Sequence, residues 1–94
     1  MIEVERTSTV PDGWGFLVRV TEGDNQTEHE VTVARADYER LTRQTVAPEM
    51  LVQKTFEFLL AREQKEAILR HFELTVVAQY FPEYETEIRR ELTT

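Results

Sequence analysis

The chain has 94 residues, with 18 acidic and 11 basic side chains, a formal net charge of −7 and no cysteine. This length supports one hydrophobic core, and a hydrophobic content of 40% argues against disorder. The lack of cysteine excludes disulfides, thiolate metal sites and cysteine nucleophiles. The composition therefore predicts one well-solvated domain over residues 1–94.

The charge is distributed evenly along the chain. Residues 1–47 contain nine acids and five bases, and residues 48–94 contain nine acids and six bases. An evenly acidic surface repels nucleic-acid phosphates and anionic membranes. No run approaches the roughly 18 apolar residues of a membrane span, and the first ten residues lack the pattern of a signal peptide. We expect a cytoplasmic protein with no direct nucleic-acid or membrane partner.

The first two strands are predicted to form a hairpin around a PDG turn. Residues 2–10 and 14–22 alternate in strand fashion, and Gly13 is expected to take the left-handed position of a three-residue loop. With that loop, paired positions sum to 24, which places Val4 opposite Val20. All even-numbered residues of both strands then share the buried face.

A third strand is predicted at residues 28–34, with His29, Val31 and Val33 on its inward face. In a simple meander, the middle strand places Arg19 on the solvent face, opposite Glu5 and near Glu30. We interpret this set as a cross-strand ion pair rather than as a paired-acid catalytic site.

Residues 35–94 are predicted to be helical. Residues 35–43 form a short helix that buries Tyr38 and Leu41. Residues 48–63 form the central helix, with Pro48 at its first position. Its apolar side chains cover an arc of roughly 200°, wider than the stripe of an ordinary surface helix. Such a helix must be covered on more than one side.

The pattern is less regular after this helix. A further helical segment is expected to break near residues 71–73. Residues 74–81 form a compact apolar run that fits a strand or a helix, and a short helix is favoured. Pro82 then begins a last helix, with Tyr84, Ile88 and Leu92 on its apolar side. The predicted fold class is α+β: an N-terminal three-stranded antiparallel β-meander (1–34), followed by three or four helices packed on one face (35–94).

The residue types that carry catalysis are sparse. His29 and His71 lack the spacing of a metal site, and Ser8, the only serine, has no identifiable base. Trp14 and Phe16 resemble an aromatic platform for nucleic-acid bases, but without basic neighbours they are interpreted as core. The sequence therefore predicts no catalytic residue, no metal site and no cofactor.

What remains is a surplus of apolar surface on the helical half. Four residues are the interface candidates: Phe58, Leu60, Phe81 and Tyr84. The leading hypothesis is a non-enzymatic protein-protein interaction or assembly module, acting as a homodimer or as a small subunit. One alternative is a small acidic regulator or inhibitor of a basic protein, of the antitoxin or nucleic-acid-mimic type. Another is a small enzyme that uses acidic residues and a histidine.

Overall fold

The computed structural model describes the backbone of residues 1–93 and the side chains of residues 1–92. It has the predicted α+β fold, in which an N-terminal antiparallel meander precedes the helices. The elements in chain order are β1 (Ile2–Val10), β2 (Gly13–Glu22), β3 (Asn25–Ala34), α1 (Arg35–Thr42), α2 (Pro48–Leu60), a 3₁₀ turn (Lys65–Ala67), β4 (His71–Glu73), α3 (Val76–Tyr80) and α4 (Tyr84–Thr93).

The sheet has four strands in the order β1-β2-β3-β4, so the meander gains a strand that was not predicted. β4 runs parallel to β3 and pairs Val31 with Phe72. Its ladder is held by hydrogen bonds from Glu30 N to Arg70 O (2.8 Å) and from Leu74 N to Thr32 O (2.9 Å). The helix expected before residues 71–73 is wrong, since only one 3₁₀ turn forms there. Residues 71–73, where the helical segment was expected to break, form β4.

The predicted register of the β1–β2 hairpin is wrong. Val4 pairs with Val18 rather than with Val20. The loop has two residues, so Val10 pairs with Gly13, which moves the register by one residue. The pairing then shifts by one residue at a bulge between Arg6 and Ser8. Even-numbered residues therefore share the inner face only in the first half of β1. Beyond the bulge the phase inverts, and Val10 is 52% exposed.

Gly13 is required for a reason other than the predicted one. Among the three glycines, only Gly23 has a positive φ, so Gly13 does not take a left-handed conformation. Instead, β3 passes so close that a Cβ on Gly13 would overlap the backbone carbonyl oxygen of Val33. Glycine here permits the close approach of two strands.

We therefore expect Gly13→Ala to lower the free energy of unfolding by about 1–3 kcal/mol, the usual cost of forced overpacking. Gly15→Ala is the matched control. Its added Cβ would meet the side chain of Ser8 at 2.7 Å, and a hydroxyl can rotate away. Urea titrations of both variants and of the wild type measure the difference. Equal losses in the two variants would contradict the close-approach explanation.

The core lies between the inner face of the sheet and the helices. The predicted inward residues of β2 and β3 are buried, and α2 buries the wide apolar arc that its sequence predicts. Arg6 holds α2 to the edge of the sheet, since its guanidinium binds both carboxylate oxygens of Glu49 at 2.7 and 2.8 Å. α2 ends at Leu60 rather than at Glu63.

The last two helices complete the cover. Residues 76–80 form the favoured short helix, with Val77 buried against the core. In α4, Tyr84 and Ile88 are buried, as the helical spacing predicts. The meander and the helices therefore share one core.

Candidate functional site

An apolar cleft of about 280 Å³ opens between the C-terminal end of α2, the segment that follows it, β4 and α3. Two exposed side chains lie on its rim: Leu69, which is 47% exposed, and Tyr80, which is 66% exposed. Phe81 also lines the cleft and is half-buried. The floor consists of four buried side chains: Leu59, Ile68, Phe72 and Val77.

Among the described residues, Glu63 is the one charged side chain that lines the cleft. It is partly exposed, and within the described part of the chain its carboxylate has no ion-pair partner. The cleft therefore combines an apolar floor with a single uncompensated negative charge at its margin. A ligand with an apolar group beside a cation would complement both features.

The cleft forms because the chain leaves α2 abruptly and returns to the sheet. Arg62 closes the helix: its Nη1 donates to the carbonyl oxygen of Phe58 at 3.0 Å, and its guanidinium lies 3.6 Å from the centroid of the Phe58 ring. The following 3₁₀ turn is anchored by Lys65, whose Nζ donates to Glu22 (3.1 Å) and to Glu66 (2.8 Å). The short α3 then leaves the mouth of the cleft uncovered.

His29 lies in the core beneath the cleft and hydrogen-bonds to the backbone of the rim residue Leu69. Its Nδ1 lies 2.8 Å from the carbonyl oxygen of Leu69, and its Nε2 lies 2.9 Å from the hydroxyl of Thr27. A carbonyl only accepts, so Nδ1 carries the proton and Nε2 accepts from Thr27. Burial lowers the pKa of His29, and the positive charge of Arg70 lowers it further. The imidazole is thus a neutral group in the core, and its inward position is the one that the sequence predicts.

Three of the four sequence-predicted interface residues form one aromatic cluster. The ring of Phe58 lies edge-on to Phe81 and to Tyr84, with centroid distances of 5.8 and 5.3 Å. Tyr84 is fully buried and Phe58 is 8% exposed, so both are core residues of the single chain. Leu60 is half-buried on the other margin of α2. Their role in binding stays a prediction, and of the cluster only Phe81 reaches the cleft.

Sequence reasoning missed the two rim residues. Leu69 lies in an irregular segment with no periodicity to mark it. Tyr80 was part of the apolar run but was not singled out. Both gain their position from the return of the chain to β3, which brings together residues from separate elements.

A second feature is the solvent-facing side of the sheet, the open sheet face, which carries Glu5, Arg19, Glu28 and Glu30. The predicted ion pair between Arg19 and Glu5 is present at 3.4 Å, but the second partner of Arg19 is Glu28 at 3.0 Å rather than Glu30. The register explains this correction, since Arg19 pairs directly with Glu28. Glu30 instead lies 3.6 Å from His71 on β4.

The remaining sequence candidates are an aromatic platform for nucleic-acid bases and a metal site. Trp14 and Phe16 are 7% and 1% exposed, so they belong to the core rather than to a stacking platform. Trp14 lies beneath the guanidinium of Arg35, 4.6 Å from its ring centroid, and edge-on to Tyr38. Over the described residues, no group of three or more His, Asp or Glu side chains is placed to hold a metal ion.

Comparison of the chain with protein-family models, with curated proteins and with solved structures gave no match. No helix in the described part is both long and apolar enough to cross a membrane. The cleft and the open sheet face are therefore interpreted from their own geometry.

Proposed function

We propose that the chain is a non-enzymatic protein-protein interaction module that receives an apolar side chain of a partner protein in the cleft. One observation carries this proposal. Of the five large apolar side chains that are exposed in the described part, two lie on the rim of one concave site with an apolar floor. Exposed apolar surface concentrated in this way usually marks a binding site.

The size and chemistry of the cleft favour a protein partner over a small metabolite. Its volume of about 280 Å³ lies just below the ~300–1,000 Å³ of typical small-molecule sites. As far as the structure describes the chain, the lining offers one carboxylate, that of Glu63, and no set of converging polar side chains to orient a polar ligand. A peptide segment with a bulky apolar residue and a neighbouring lysine or arginine fits these features. The partner is either another protein, with this chain as its small subunit, or a second copy.

The test compares two double variants with the same number of exposed apolar side chains removed. Leu69→Ser/Tyr80→Ser alters the cleft rim, and Val10→Ser/Met50→Ser alters exposed apolar residues elsewhere. We expect the rim variant to weaken partner binding by about 30-fold, equivalent to one interface hot spot of about 2 kcal/mol. Affinity capture from native lysate with quantitative mass spectrometry measures heteromeric binding. Light scattering over a wide concentration range measures self-association.

The proposal requires one specific partner, or the dimer, to be lost with the rim variant and kept with the control variant. Urea unfolding of both variants establishes that each remains folded. A partner that binds the rim variant and the wild type equally would contradict a role for the cleft.

A second candidate function is a small acidic regulator or inhibitor that binds a basic protein. Its support is the clustering of five carboxylates on the open sheet face against one arginine, Arg19: Glu3, Glu5, Glu28, Glu30 and Glu73. Binding through this face should weaken steeply as salt rises, whereas apolar binding in the cleft should change little. The salt dependence of the captured complex therefore distinguishes the two functions.

A further inference from the structure

β1 forms one edge of the sheet, and no described strand pairs with its outer side. The strand is nine residues long, Ile2–Val10, and contains neither proline nor lysine, two residues that commonly protect an exposed edge. The bulge after Arg6 interrupts regular pairing. The regular part of the free edge therefore comprises residues 2–6. The cleft lies at β4, the opposite edge of the sheet, so the two surfaces are separate.

The hydrogen bonds to β2 establish which backbone groups of this edge are free. The amino nitrogen of Met1 donates to the carbonyl oxygen of Thr21 at 2.7 Å, and Thr21 N donates back to Met1 O at 2.9 Å. Doubly bonded pairs alternate along an antiparallel ladder, so Glu3 and Glu5 also bond to β2. The intervening residues point their N–H and C=O groups outward: Ile2, Val4 and Arg6.

The side chains along the β1 edge determine which kind of strand can pair with it. Ile2 and Val4 are half-buried on the inner face, whereas Glu3 and Glu5 are exposed on the open face. Two copies of β1 paired antiparallel about a two-fold axis at residue 3, 4 or 5 would each place glutamate opposite glutamate. Like charges in directly opposed positions destabilise a strand pair. Self-pairing through this edge is therefore disfavoured.

We propose that the β1 edge binds an extended segment of a partner protein in which basic and aliphatic residues alternate, and that this segment becomes a fifth strand. An antiparallel strand on this side forms its non-hydrogen-bonded pairs with Glu3 and Glu5, where opposed side chains are closest. Lysine or arginine at those two positions meets both carboxylates. Glu5 already forms an ion pair with Arg19, which also pairs with Glu28, whereas Glu3 has no ion pair in the described part of the chain. Glu3 is therefore the stronger anchor.

The probe is the peptide TKVKVKT, compared with TKKKVVT, which has the same composition but lacks the alternation. We expect TKVKVKT to shift the backbone amide NMR signals of Ile2, Val4 and Arg6 and to slow their hydrogen exchange. The double variant Glu3→Lys/Glu5→Lys should bind it at least about tenfold more weakly, since two attractive pairs become repulsive. The double variant Glu30→Lys/Glu73→Lys makes the same charge change on the same face, two strands or more from the edge. It should bind within about threefold of the wild type.

Val4→Pro supplies a test that does not depend on charge. It removes one outward N–H at an edge position, where proline is tolerated, and should abolish binding of TKVKVKT. Equal binding of the two peptides, or equal loss in both charge variants, would overturn the proposal in favour of diffuse attraction to the acidic face. Amide shifts confined to Leu69 and Tyr80 would overturn it in favour of the cleft. An unchanged spectrum at millimolar peptide would also overturn it.

Discussion

Tyr84→Ala is expected to lower the free energy of unfolding by about 3–5 kcal/mol, the cost of removing a large buried aromatic side chain. The ring of Tyr84 is fully buried and packs edge-on against Phe58. A domain of this size has only about 5–15 kcal/mol of stability in total. The variant should therefore be close to unfolding, as measured by urea titration with circular dichroism.

Tyr84→Phe is the control that separates the ring from its hydroxyl. The hydroxyl of Thr55 donates to Leu51 O at 2.8 Å, so in the 2.7 Å contact between the two hydroxyls Tyr84 is the donor. Removing the Tyr84 hydroxyl leaves the Thr55 proton satisfied, and the expected loss is about 0.5–1.5 kcal/mol. Wild-type stability in Tyr84→Ala would contradict the core assignment.

The burial of Tyr84 and Phe58 limits which substitutions can be used to map a binding interface. Alanine at Tyr84 or Phe58 would destabilise the fold and weaken binding for that reason alone, whether or not either residue contacts a partner. Leu60 and Phe81 are half-buried, so their substitution is the interpretable part of the sequence-predicted set.

The free energy of unfolding is expected to fall as pH is lowered below about 6.5, the ordinary pKa of histidine, because His29 is buried in its neutral form. Burial lowers the pKa of folded His29 below its value in the unfolded chain. Between those two values the unfolded chain binds a proton that the folded chain does not. The free energy of unfolding therefore rises with pH across this window. The contribution of neutral His29 is fully present above pH 6.5 and is lost as pH falls through the pKa of the folded state.

Urea titrations at intervals between pH 5 and pH 7.5 measure this dependence. This range lies above the ordinary pKa values of aspartate and glutamate, about 4, so histidines dominate it. His29→Gln should flatten the profile and lower stability at neutral pH by about 1–3 kcal/mol, since Thr27 and the Leu69 carbonyl lose well-placed partners. His71→Gln is the control, because the His71 side chain is 72% exposed. An unchanged profile in His29→Gln would contradict the buried-histidine account.

The sequence predicts elements whose periodicity is maintained over several residues. Alternation placed Phe16 and Val31 correctly in the core, and the helical spacing of α4 predicted burial of Tyr84 and Ile88. It also predicted that His29 faces inward. In each case, several consecutive residues carry the same signal, and burial of one face makes that signal physically necessary.

Features that depend on tertiary contact were not predictable in this way. β4 has three residues, too few for a period, and its state is decided by pairing with β3. The two-residue loop and the bulge after Arg6 each move the register by one residue in the same direction, so the first half of β1 lies two residues from the predicted pairing. The cleft was missed because Leu69 and Tyr80 belong to separate segments that meet only after the chain returns to the sheet.

The most direct test of the interaction proposal is a photocrosslink from the rim of the cleft. Benzoylphenylalanine replaces Tyr80 in one protein and exposed Thr86 on α4 in a control, and both are irradiated in native lysate. The proposal predicts one discrete protein adduct, or a covalent dimer, from position 80 that is absent from position 86 and is lost when Leu69→Ser is added. No adduct at position 80, or the same adducts from both positions, would contradict binding at the cleft.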